Sequence, residues 1–193
     1  MSSDDPVARF DAWFADARGL GLRVPEAMTL ATAGADGAPS ARIVLMKSHD
    51  ADGFVFFTDR RSRKGADLLA NPRAALVFHW EALGRQVRVE GTVSEVDDEA
   101  SYVYYSTRPR GSQIGAWASH QSAPIASRAE LEAEVAAVEA RFADGDVPLP
   151  PHWGGYRVAP ERYEFWTHHD DRLHERIVFR RDGAGWAREL LSP

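Results

Sequence analysis

Three short stretches carry side chains whose types and spacing could hold an anion. In "SYVYYSTRPRGSQ", Tyr104 and Arg108 stand four residues apart and so share one helix face. Pro109 would stop that helix and Gly111–Ser112 would turn the chain back, which brings the Ser112 hydroxyl close to the guanidinium. A tyrosine, an arginine and a serine converging at a helix end can hold a phosphate, with the planar guanidinium supplying several donors. The same residues also describe an ordinary helix C-terminus, where the dipole alone favours an arginine. "RSRKG" sets Arg63 and Lys64 at the start of a helix, whose free N–H groups and dipole attract anions. A solvated pair of surface cations is the plainer alternative.

The third stretch is "EFWTHHDDRLHER". Its histidines and aspartates suggest a metal, but adjacent His168 and His169 point in opposite directions in an extended segment, and the spacing matches no standard zinc pattern. No metal site is expected. Arg172, His174 and Arg176 repeat every second residue, so they read as one strand face, with the outer two about 13–14 Å apart. An edge strand protected by its charges would look the same. Two further strands carry polar groups. "ARIVLMK" has Arg42 and Lys47 at its ends, five residues apart, and strict alternation sends them to opposite faces unless the strand twists or bulges. "GRQVRVEG" puts Gln86, Arg88 and Glu90 on one face and Val87 and Val89 on the other.

The elements that must position these groups follow from periodicity. In "DDPVARFDAWFADARGLG", Phe10, Trp13, Phe14 and Ala17 recur at helical spacing between a capping aspartate with its proline and a pair of glycines. "AMTLATAG" and "SARIVLMKSH" flank the turn signal "ADGAP" and read as a hairpin, and "FVFFTD" follows a second turn. "RSRKGADLLANP" reads as a short helix, and "RAALVFHW" and "RQVRVEGTVSEV" as two strands. Helices are expected at about 98–107, 112–119 and over "SRAELEAEVAAVEARFAD", then a proline-rich loop, strands near 155–168 and 172–181, and a last short strand at "GWARELL". Short antiparallel strands with helices gathered between them imply an α+β barrel with helices packed outside. One domain over 1–193 is expected, with an N-terminal helix in 1–24 and barrel plus helices in 25–193.

Composition narrows the function. The 193 residues carry a net charge of −6, which argues against a nucleic-acid or anionic-membrane surface, and they include no cysteine, so thiolate chemistry and disulfides are excluded. No run is apolar enough for a membrane span and no secretory signal is visible, so a cytoplasmic protein is expected. Gly-x-Gly-x-x-Gly, P-loop and Gly-x-Ser-x-Gly motifs are all missing.

Taken together, "RIVLMK", "FFTDRRSRKG", "GRQVRVEG", "STRPRGSQIGAWASHQS", "VPLPPHWGGYRV" and "EFWTHHDDRLHER" resemble the pyridoxine/pyridoxamine 5′-phosphate oxidase family from about Ala27 to Pro193. That resemblance implies a Greek-key FMN-binding split barrel, working as a homodimer with two sites at the subunit interface. It implies FMN contacts from Arg42, Ile43, Val44, Leu45, Met46, Lys47, Phe57, Thr58, Arg63, Lys64, Gln86, Gln121, Ser122, Trp166 and Arg176. The phosphate of a B6 substrate would fall to Lys47, Tyr104, Arg108 and Ser112, and Arg172 and His174 would lie over the pyridine ring as the catalytic pair. The implied reaction oxidises pyridoxamine or pyridoxine 5′-phosphate to pyridoxal 5′-phosphate, with O₂ reduced to H₂O₂ and the flavin carrying the difficult step.

Three departures from the family stand out. Phe57 occupies a position usually held by tyrosine, "THHDD" replaces a glycine-containing turn, and the basic segment that often precedes the first helix is not seen. Two alternatives keep the fold: a flavin oxidase of another small aromatic, of the phenazine type, and a flavin-binding module without catalysis.

Overall fold

In the computed structural model, which describes residues 5–193, helix α1 (Pro6–Gly19) begins where Asp5 accepts hydrogen bonds from the N–H groups of Val7 (3.0 Å) and Ala8 (3.4 Å). Residues 1–4 of the expected N-terminal segment lie outside the described residues. Phe10 is fully buried and meets Phe54 and Phe78 edge-on at 4.9 and 5.0 Å, which fastens α1 to the core.

Among the described residues, nine strands form one antiparallel sheet: β1 (Ala27–Ala33), β2 (Pro39–Leu45), β3 (Ser48–Asp50), β4 (Gly53–Asp59), β5 (Arg73–Trp80), β6 (Arg85–Glu95), β7 (Trp153–Thr167), β8 (Glu175–Asp182) and β9 (Gly185–Leu190). Their order is β2-β1-β5-β6-β7-β4-β3, with β8 added to β7 and β9 to β8. β2 and β3 end opposite sides of that order, yet only Met46 and Lys47 separate them in the chain, so the sheet must curl back on itself. The Lys47 N–H donates to Val55 and the Met46 N–H to Glu26, which ties the two ends together as a split barrel.

The long β7 makes this possible by serving three neighbours. Its first half pairs with β4, its second half with β8, and β6 runs along both. Between the halves the register slips at Glu90/Gly91, leaving Glu161 beside Pro160 as a bulge that bends the strand. Only glycine fits at Gly91, because a Cβ there would stand 1.9 Å from the Ala159 carbonyl oxygen.

Strand alternation then builds one interior. Met28, Leu30, Leu76, Phe78, Val87, Val89, Tyr163, Phe165, Ile177 and Phe179 fill it, while Gln86, Arg88 and Glu90 face away, as the period-two pattern of β6 requires. Helices α2 (Arg63–Ala70), α3 (Asp98–Ser106), α4 (Arg110–Ala118) and α5 (Arg128–Arg141) pack outside. The segment that follows α5 ties α4 to it: Arg110 donates to the carbonyls of Phe142 and Gly145, and the Trp117 indole to that of Pro148. Three boundaries differ from expectation in ways that bear on chemistry: the strand expected through "SARIVLMKSH" divides after Leu45 into β2 and β3. α4 starts at Arg110, and β8 starts at Glu175.

Candidate active site

A cavity of about 860 Å³ opens between the curled edge of the sheet and the α3–α4 corner. Arg42, Ile43, Val44, Leu45 and Lys47 line one wall, Phe57, Thr58 and Lys64 the floor, and Tyr104, Arg108, Ser112 and Gln121 the helical side. Arg42 and Lys47 therefore share one site although alternation separates them. β2 stops at Leu45, and the two-residue link to β3 resets the side-chain direction.

The corner expected to hold a phosphate is built differently from that expectation. α3 ends at Ser106, so Arg108 lies beyond it, and Ser112 belongs to the first turn of α4 instead of a reverse turn. Pro109 caps α4 without any side-chain hydrogen bond, so N–H groups at that helix start remain available to an anion. The Arg108 guanidinium sits 4.8 Å over Trp153 and 5.7 Å over Tyr105, and its Nη1 is buried with no partner. Burial lowers its pKa, against the opposing pull of Tyr104 and Tyr105. A buried, unpaired donor costs about 1–3 kcal/mol and is met by a ligand that accepts from it. Lys47 completes the corner, 5.7 Å over the Tyr104 ring, and Phe57, Tyr104 and Trp153 form a stacked wall with ring separations of 4.4 and 5.4 Å.

The floor holds a second cation in unusual surroundings. Gly65 lets α2 start against the Arg60 backbone, where a Cβ would stand 1.9 Å from a carbonyl oxygen, and this turns Lys64 inward. The buried Lys64 ammonium donates to Thr58 (3.1 Å), Ser62 (3.1 Å) and Gln121, all uncharged. Burial, aided by the charge of Arg42 and opposed by Asp59, pushes its pKa down to about 8. Arg42 is braced by Thr32 at 2.6 Å and the Leu30 carbonyl at 3.3 Å, with Asp67 at 3.8 Å. A desolvated Lys64 held by neutral groups fits a ligand that brings its own negative charge.

The other expected residues lie elsewhere. Arg63 and Ser122 line a smaller cavity of about 240 Å³ that shares Gln121 with the first, and Met46 is buried. Gln86, Trp166 and Arg176 are direct neighbours across β6, β7 and β8 and form one row on the outer face. None of them lines the large cavity, and neither do Arg172 and His174.

The expected strand face of Arg172, His174 and Arg176 is corrected here, since only Arg176 is in a strand. Arg172 has φ 68, a left-handed turn residue, and its N–H donates to the His169 carbonyl. Asp171 accepts from the Leu173 N–H within the same turn. "THHDD" thereby shapes the turn that carries Arg172 and His174: the His169 N–H donates to His174 Nδ1 at 3.1 Å, and the His174 ring lies 4.6 Å from Trp166.

Two residues of this arrangement carry no role in the sequence reading. Trp153 stacks on Phe57 and under Arg108, and no local pattern marks it. Glu164 is 2% exposed and touches Arg162 and Arg176 at 2.8 Å and Arg88 at 3.5 Å. Burial pushes its carboxyl up, but hydrogen bonds from Arg162 and Arg176 outweigh that and leave it below its ordinary pKa. Its signal was a lone acid inside the aromatic run "RYEFW".

Residues 18–142 match the family model described as pyridoxamine 5′-phosphate oxidase, and residues 153–193 match that of the pyridoxine 5′-phosphate oxidase C-terminal dimerisation region. The chain is 56% identical to a pyridoxine/pyridoxamine 5′-phosphate oxidase of Sphingopyxis alaskensis, over 99% of this chain and 88% of that protein. It is also 56% identical to the one of Anaeromyxobacter dehalogenans, over 100% and 97% respectively. Among solved structures, PhzG from Burkholderia lata, in complex with tetrahydrophenazine-1-carboxylic acid, superposes with a TM-score of 0.93 at 32% identity, covering 100% of this chain and 94% of that one.

Proposed function

The chain belongs to the pyridoxamine 5′-phosphate oxidase family, and from that premise we propose that it is an FMN-dependent oxidase of pyridoxamine and pyridoxine 5′-phosphates that forms pyridoxal 5′-phosphate. The observation that carries the proposal is the single cavity in which the flavin set around Lys64 meets the phosphate corner around Arg108. The reaction needs both ligands in contact, and each set contains a desolvated cation without an acidic hydrogen-bond partner.

FMN bound in this cavity would supply the redox chemistry, a hydride acceptor for C4′ of the substrate and a route for the electrons to O₂, which is reduced to H₂O₂. The chain's residues bind and orient. Arg42 through Lys47, Phe57, Thr58, Arg63, Lys64, Gln121 and Ser122 hold FMN from one protomer. Gln86, Trp166 and Arg176 of the partner subunit complete the site, since within one chain that row lies apart from the cavity. The matched C-terminal dimerisation region supports a homodimer of this kind. Lys47, Tyr104, Arg108 and Ser112 grip the substrate phosphate. Arg172 and His174 cover the pyridine ring, with His174 Nδ1 occupied by the His169 N–H, so that Nε2 is the nitrogen left for a ligand. Alcohol oxidation yields the aldehyde directly, and amine oxidation yields an imine that water hydrolyses to it.

Under argon, pyridoxamine 5′-phosphate should bleach the visible absorbance of the flavin-loaded protein, while unphosphorylated pyridoxamine at equal concentration should not. Bleaching by a phenazine-type aromatic acid, with none by pyridoxamine 5′-phosphate, would replace this reading with the chemistry suggested by the PhzG likeness.

A further inference from the structure

Glu164 is a buried carboxylate that the proposed reaction does not use. Burying a carboxylate costs several kcal/mol unless it is paired, and here three arginines surround it, one from each of β6, β7 and β8. Its position is specific. It stands two residues before Trp166 on the same face of β7, beside the row formed by Gln86, Trp166 and Arg176. The Arg176 Nε donates to Glu164 Oε1 at 2.9 Å, and Nη2 lies 2.8 Å from the same oxygen. On its other side Arg176 Nη1 donates to the Ser192 carbonyl at 3.0 Å, and the Leu191 N–H returns a bond to the Arg176 carbonyl.

A long, flexible side chain is thus clamped from two directions, with N–H groups on Nη1 and Nη2 still to spare. Arginine pays for ordering in rotamer entropy on binding, and a clamp supplied by the fold removes that cost beforehand. Arg88 and Arg162 do not need Glu164 in the same way, because both also pair with Glu90, at 3.0 and 2.8 Å. Among the described residues, Arg176 has no other acidic partner.

We propose that Glu164 is a positioning residue whose task is to hold the Arg176 guanidinium ready for the flavin. This rests on the reading of Arg176 as a flavin contact. The rival account is that Glu164 only cements β6, β7 and β8 together.

A double-mutant cycle separates them, with flavin Kd measured by fluorescence quenching on the full chain and folding checked by thermal unfolding of the flavin-free protein. Glu164→Gln should raise Kd about tenfold, the scale of one charge-assisted hydrogen bond. In an Arg176→Gln background the same change should alter Kd less than about twofold. Arg162→Gln, which removes a different Glu164 partner, should also stay within about twofold. If Glu164→Gln does not fold, Glu164→Asp keeps the charge, shortens the reach and enters the same cycle. Equal losses in both backgrounds, or a tenfold loss from Arg162→Gln, would overturn the proposal in favour of cement. An unchanged Kd for Arg176→Gln alone would instead remove the flavin assignment of Arg176, and the proposal would fall with it for that separate reason.

Discussion

Replacing Arg108 tests the phosphate corner with opposite expectations for binding and for stability. The guanidinium is desolvated, stacked over Trp153, and carries a buried Nη1 without a partner. In the free protein it satisfies little, so Arg108→Ala removes an unfavourable desolvation of about 1–3 kcal/mol and a cation–π contact of about 0.5–2 kcal/mol. These nearly cancel, and the free variant should unfold within about 1 kcal/mol of the parent in urea. With substrate bound, the same group donates charge-assisted hydrogen bonds worth about 1.5–3 kcal/mol, so KM for pyridoxamine 5′-phosphate should rise roughly 10- to 150-fold. Flavin affinity should stay within about twofold. Arg108→Lys should recover only part of the loss, since it restores the charge but not the planar set of donors. An unchanged KM for the phosphorylated substrate in Arg108→Ala would refute the corner as a phosphate site. So would an equal loss for unphosphorylated pyridoxamine.

Three other outcomes follow from the same geometry. The Lys64 pKa of about 8 lies below that of an ordinary lysine because of burial, and a bound phosphate would raise it again. Its contribution to flavin affinity is therefore expected to be complete below about pH 8 and to decline above it, whereas Lys64→Met should give a flat Kd profile between about pH 7 and 10. Mixing and re-equilibrating Arg108→Ala with Arg172→Ala should restore about a quarter of parental activity, because half of random dimers are mixed and each holds one intact site; no recovery would show that both groups serve a site within one chain. Gly65→Ala forces a Cβ to 1.9 Å from the Arg60 carbonyl oxygen and should cost about 3 kcal/mol in urea unfolding, together with weaker flavin binding as Lys64 shifts.

What could be read from the sequence was whatever local pattern controls. "RAALVFHW" corresponds to β5 at both ends, and the alternation of Val87 and Val89 against Gln86 and Arg88 is the alternation of core and outer face. What closes the sheet was not local. "RIVLMKSH" is an unbroken run of strand formers, and its interruption after Leu45 is set by bonds to Glu26 and Val55, far away in sequence or across the barrel seam. Arg42 and Lys47 meet in one cavity because of that interruption. Arg172 escaped for a related reason: nothing in its residue type calls for φ 68, which its turn imposes through His169 and Asp171. Gln86, Trp166 and Arg176 form a row only once the registers of three strands are known, so their grouping came from family resemblance and not from spacing. Glu164 was visible as an acid among aromatics, but its meaning depends on the same registers.

The most direct test of the account is the aerobic reaction itself. Pyridoxamine 5′-phosphate is added to the purified protein loaded with FMN, and pyridoxal 5′-phosphate and H₂O₂ are followed together. The account predicts that both appear in equal amounts over many turnovers, with the visible spectrum of the flavin restored when substrate is exhausted. A protein that binds FMN and the phosphorylated substrate yet forms neither product would contradict it.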